Sequence, residues 1–146
     1  KMIKYATIFL FLFVSQLFSA QEDTTWKLYI QLDEISIYYK TDKCFPNQGF
    51  DEELIMLRFV NTSANTITIS WKEQLWYNDN CYNCNSESEE YNHELSIPAI
   101  TVIEGTCERL NNAFLTLFVQ FIDKNYHSKN PQLLTKFELV NIACKK

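Results

Sequence analysis

The sequence predicts an all-β protein, an antiparallel two-sheet sandwich of immunoglobulin-like type with about eight strands. Short windows of strict apolar and polar alternation recur along the chain with turn residues between them. Beyond the first twenty residues, no window keeps helical spacing for more than a turn or two. The size agrees, since 146 residues at 47% hydrophobic and 21% charged suit one globular domain. A small barrel is the competing architecture. Uneven strand lengths, and a break at Pro98 that resembles an edge strand switching sheets, favour the sandwich.

The first strand is read at 26–32, with Trp26, Leu28, Ile30 and Leu32 on one face and Lys27, Tyr29 and Gln31 on the other. Asp33-Glu34 turns the chain into 35–40, where Ile35, Ile37 and Tyr39 share a face. A loop follows at 41–51, marked by Cys44, Pro46, Asn47 and Gly49. The strand at 53–60 carries Ile55, Leu57 and Phe59 inward, and 61–65 turns the chain into 66–71, with Ile67, Ile69 and Trp71 inward. A short strand at 74–77 leads into a polar stretch at 78–90, the longest expected surface loop, holding Cys81, Cys84, Glu87, Glu89 and Glu90. Strands at 91–97 and 102–107 flank Pro98. The segment 113–122 is apolar on both faces and is therefore expected at the centre of a sheet, with Leu115, Leu117, Val119 and Phe121 buried. A strand at 134–142 closes the domain.

Residues 1–20 read as a cleavable secretory signal. Lys1 and Lys4 precede an apolar run at 5–14, and small residues ending at Ala20 lead into the acidic Gln21-Glu22-Asp23. The apolar core falls short of the roughly 20 residues that span a bilayer, so no membrane span is expected after cleavage. The expected organisation is thus a signal at 1–20 and one sandwich domain at 21–146, exported to the periplasm, the cell surface or the medium. The signal holds two lysines and no acidic residue, so its removal moves the formal charge from −5 to −7. Such an acidic chain, with Arg58 and Arg109 as its two arginines, is not expected to bind nucleic acid or anionic headgroups. With 2 glycines and 3 prolines it has neither a collagen repeat nor a glycine-rich phosphate loop. The scarcity of Arg, Gly and Ala beside abundant Lys, Asn, Ile, Phe and Tyr is what AT-rich codons encode.

Trp26, the strand 35–39, Cys44, Phe59-Val-Asn-Thr62, Trp76-Tyr77, the pair Cys81 and Cys84, Ile103-Glu-Gly-Thr-Cys107 and Lys136-Phe-Glu-Leu139 together carry a resemblance. In these the chain resembles a group of small exported, disulfide-containing sandwich proteins of AT-rich Gram-negative bacteria that has no assigned activity. The resemblance implies Cys44, Cys81, Cys84 and Cys107 as the disulfide set and leaves Cys144 outside it, a candidate free thiol.

All five cysteines follow the signal, in a chain bound for an oxidising compartment, so two disulfides and one leftover thiol are the default. With Cys144 as the spare, three pairings remain. Cys44 and Cys107 sit at strand ends and Cys81 and Cys84 in the long loop, which favours bridges that pin the loop to the sandwich. The alternative is thiol–disulfide or metal chemistry at Cys81-Tyr-Asn-Cys84. Redox pairs of this spacing usually sit at a helix N-terminus, where the macrodipole favours the thiolate. Here Asn, Ser and Glu follow with no apolar helical face, and the nearby carboxylates oppose a thiolate. A four-cysteine zinc site normally has a second close-spaced pair, whereas Cys44 and Cys107 are single.

His93 and His127 are the two histidines, and His93 and Glu94 point to opposite faces of a strand, so they form no local pair. No nucleophile elbow or zinc-protease motif is present, and Asp51-Glu52-Glu53 reads as solvated charge at a strand start. Asp23-Thr-Thr25 and Asn61-Thr-Ser63 resemble sugar-attachment motifs. Trp76, Tyr77, Tyr82 and Tyr91 bracket the cysteine loop and form the candidate binding surface. The functional expectation is a non-catalytic binding or accessory module of the cell envelope, without a cofactor, whose partner is a protein or a glycan. A carbohydrate-binding module is the weaker alternative, and it requires Trp76 and Tyr82 side by side in solvent.

Overall fold

The computed structural model describes residues 26–109 and 111–146, so the expected signal at 1–20 and the Asp23-Thr-Thr25 motif lie outside the described residues. Among the described residues nine strands form two antiparallel sheets. They are β1 (Lys27–Gln31), β2 (Ile35–Cys44), β3 (Glu52–Asn61), β4 (Ile67–Tyr77), β5 (Asn80–Cys81), β6 (Asn92–Ile97), β7 (Thr101–Glu104), β8 (Thr116–Phe121) and β9 (Leu134–Lys145). In one sheet β1, β2 and β3 are successive neighbours, and the far edge of β3 is shared by β7 and β8. In the other, β4 is central, with β9 on one side and β6 and the two-residue β5 on the other.

Alternation placed the core face well where a strand is regular. Leu57 and Phe59 of β3 meet Ile67, Ile69 and Trp71 of β4 in one buried cluster that includes Leu115 and Ile37. Phe59 stacks on Trp71 with ring centres 4.9 Å apart, adding a directional contact to the area buried. A second cluster, with Leu75, Leu117, Val119 and Leu134, continues the interior toward the other end, and Ile55 packs against it half-buried. The connection at Pro98 carries the chain from β6 in one sheet to β7 in the other, the switch that its position implied.

Several expectations need correction. The windows 66–71 and 74–77 are one strand, because β9 pairs along β4 from Thr68 to Tyr77. The strand β8 is not central: among the described residues it pairs with β3 alone. Its second apolar face is accounted for by the outside of its sheet, where Phe118 packs against a buried cluster of Cys44, Leu54 and Met56 with Trp26 alongside. Phe121, expected inside, is 36% exposed and sits among Phe50, Phe118 and Tyr126. A bulge between Leu28 and Ile30 breaks the alternation of β1, so Tyr29 packs against the core while Leu28 is exposed. Asn61 is 1% exposed and its Nδ2 donates to the carbonyls of Asn65, Ile97 and Pro98. It is a strut of the β3–β4 corner, and its burial leaves no room for a sugar.

Candidate functional site

The loop after β4 is built by a tight hairpin. Asn78 and Asp79 both have positive φ, 49° and 64°, as a two-residue turn with right-handed strand twist requires, and Asn is the residue type that tolerates it. This returns Asn80 and Cys81 to pair with Tyr77 and Trp76. The turn is also held from the side: Asn78 N–H donates to Leu133 O at 2.9 Å, and Asp79 N–H to Thr135 Oγ1 at 3.0 Å.

Between β5 and β6, among the described residues, no strand pairs with one edge of β4 at residues 73–75, and Asn83 fills that gap. It is 2% exposed; its Oδ1 accepts from Leu75 N–H at 2.8 Å and its Nδ2 donates to Glu73 O at 3.0 Å. Tyr82 N–H donates to Leu75 O at 2.8 Å, and Lys72 Nζ donates to Ser86 O at 2.7 Å. A polar loop that composition alone would leave mobile is therefore fixed by backbone-directed bonds.

The disulfides are Cys44–Cys107 and Cys81–Cys84. This is not the favoured arrangement of bridges from the loop to the sandwich: Cys81–Cys84 closes a ring within the loop, and Asn83 supplies the anchor instead. Cys44–Cys107 ties the end of β2 to the segment after β7, where Arg109 pairs with Glu52 at 2.6 Å. Cys144 is free and exposed. It lines an open groove of about 920 Å³ with Asp33, Glu34 and Lys146, and burial, then Asp33, push its thiol up, away from the reactive thiolate.

The four aromatic candidates divide between two faces. Odd-numbered residues of β4 face the interior, so Tyr77 packs with Leu75 and Leu117 and donates its hydroxyl to Phe118 O at 2.8 Å, joining the two sheets. Its hydroxyl pKa is pushed from 10.0 up to about 12, by burial first and then by Glu73 and Tyr82. Tyr82, 64% exposed, stands edge-on to Tyr77 with ring centres 5.9 Å apart. Tyr91, half-buried, ends the short 3-10 turn Glu89–Tyr91 just before β6. Trp76 lies on the opposite face, beneath Lys136 Nζ, which is 4.3 Å from its ring centre. Among the described residues Trp76 and Tyr82 make no ring contact, so the paired platform that a sugar module requires is not formed.

One arrangement escaped the sequence. Pairing sets His93 opposite Trp71, and Glu73, two residues further along β4, reaches His93 Nε2 at 3.3 Å. The imidazole stacks on Phe114, 5.4 Å between ring centres, so this is a nearly buried carboxylate–histidine contact inside an aromatic wall. Among the described residues no group of three or more His, Cys, Asp and Glu is arranged to hold a metal ion, and no helix is long and apolar enough to cross a membrane. Comparison with known proteins finds no matching family model, no matching curated protein and no matching solved structure.

Proposed function

We propose that this chain is an exported binding module of the cell envelope that works without catalysis, with loop 78–91 as its recognition surface and a protein as its partner. The observation that carries the reading is the pairing of a 64% exposed Tyr82 with the 2% exposed Asn83 beside it. An aromatic ring held out to solvent on an immobilised backbone suits a binding anchor, because little ordering entropy is lost when a partner arrives. Tyr77 backs that ring edge-on, and the exposed Glu87, Glu89 and Glu90 give the surface an acidic rim. Two disulfides suit an oxidising compartment, and the basic, apolar and small-residue order of residues 1–20 supports export.

The test is capture from the native envelope by the tagged protein and by Tyr82→Ala. The reading expects the substitution to weaken capture by at least about 2 kcal/mol, the scale of an interface anchor, while leaving the fold intact. Capture at wild-type strength by Tyr82→Ala would place the interface elsewhere.

A further inference from the structure

We infer that, beyond the binding role proposed above, the Cys81–Cys84 bridge is a stoichiometric thiol–disulfide exchange site that takes two electrons, once per bridge, from a pair of cysteine thiols on a client protein. The loop that carries this bridge has anchors of its own and leans on the bridge less than the sandwich leans on Cys44–Cys107. The loop around it is anchored by Asn83 to Leu75 and Glu73, by Tyr82 N–H to Leu75 O and by Lys72 to Ser86, none of which involves sulfur. A disulfide joining residues only 3 apart removes little freedom from the unfolded chain, whereas Cys44–Cys107, with a separation of 63, removes much more.

Cys84 N–H donates to Cys81 Sγ at 3.1 Å. A backbone N–H aimed at sulfur favours the thiolate over the thiol, the service that a helix N-terminus supplies in other redox pairs. The nearby carboxylates weigh less than the sequence implies, because Glu87, Glu89 and Glu90 are exposed and Glu89 is engaged by Asn92 at 2.8 Å. Both cysteines are half-buried at the surface; in the other bridge Cys44 is buried and Cys107 exposed, so the distinction between the bridges rests on the N–H at Cys81 and the anchored loop rather than on access.

In the exchange, a client thiolate attacks Cys84 Sγ and the Cys81–Cys84 bond breaks. Its electron pair passes to Cys81 Sγ, where the Cys84 N–H holds the charge. A second client thiolate then attacks the client sulfur of the mixed disulfide, forming the client's own disulfide and releasing Cys84, and the two freed thiolates take protons from water. The client dithiol is oxidised by two electrons and the Cys81–Cys84 bridge is reduced by two.

The experiment equilibrates the full exported protein carrying Cys144→Ser in glutathione buffers, alkylates free thiols and locates them by peptide mass. Cys81–Cys84 is expected to open under conditions at least about tenfold less reducing than those that open Cys44–Cys107, with the sheet signal in circular dichroism unchanged. Opening of both bridges together, or only as the sheet signal is lost, overturns the proposal. In the reduced protein, alkylation rates near neutral pH separate an exchange site from a staple. Cys81 is expected to react about tenfold faster than Cys84, and to remain fast in Cys84→Ser, which keeps the donating N–H. Equal rates, or a faster Cys84, overturn it.

Discussion

Asn83 acts as a missing strand for Leu75. Its side-chain amide accepts from the Leu75 N–H at 2.8 Å and, through its other end, donates to the carbonyl of Glu73 at 3.0 Å. Substituting Asn83→Ala leaves both backbone groups without partners where no strand covers them. A loss of about 2 to 6 kcal/mol is expected in denaturant unfolding, from about 1 to 3 kcal/mol for each of the two groups left unsatisfied. Hydrogen exchange at Leu75 should accelerate in parallel. A change under half a kcal/mol would mean that water replaces the amide at little cost.

Leu117 is 3% exposed and packs with Leu75, Val119 and Leu134 between the sheets. Leu117→Ala should cost about 2 to 5 kcal/mol, whereas Phe121→Ala, on a side chain 36% exposed, should cost less. Thermal or denaturant midpoints of the two variants decide the order.

Gly105 donates its N–H to Leu57 O at 2.9 Å, and a Cβ built there would run into the carbonyl oxygen of Leu115. Backbone cannot swing aside as a side chain does. Gly105→Ala is therefore expected to destabilise by about 1 to 3 kcal/mol through overpacking. Unchanged unfolding would show that the crossing of β7 into the 3-10 turn Ala113–Leu115 has slack.

The two bridges should differ in what they stabilise. Chain entropy assigns about 4 kcal/mol to Cys44–Cys107, whose separation is 63, and about 2 kcal/mol to Cys81–Cys84, whose separation is 3. Double serine variants of each pair, compared by urea unfolding, check the ranking.

Much of this fold was legible because burial writes alternation directly into the chain, as at Ile67, Ile69 and Trp71. The misreadings have physical causes. An apolar segment with two buried faces has two explanations, and for β8 the second sheet face was covered by Trp26 and the Cys44 cluster rather than by a neighbouring strand. The Glu73–His93 contact joins residues on different strands, so no local spacing announces it. Asn83 sits in a polar loop, where a buried amide and a solvated one have the same letter. Cysteine pairing depends on which strand ends meet in space, which the order of cysteines along the chain does not encode.

Tyr77 gives a pH dependence. Its pKa lies at about 12 in the fold against 10.0 ordinarily, chiefly through burial, so the folded state holds the phenolic proton after the unfolded chain has lost it. The contribution is complete below pH 10 and is lost as pH rises from there through about 12. Tyr77→Phe should flatten the fall in stability across that window. It should also lower stability at neutral pH, because the hydroxyl no longer bonds to Phe118 O.

In the function proposed above, a partner meets the face carrying Tyr82 and not the one carrying Trp76. Photo-crosslinking amino acids placed in turn at positions 82 and 76 and activated in the native envelope test it most directly. A discrete crosslinked species is expected from position 82 and none from position 76. Crosslinks from position 76 alone, or from neither, would contradict it.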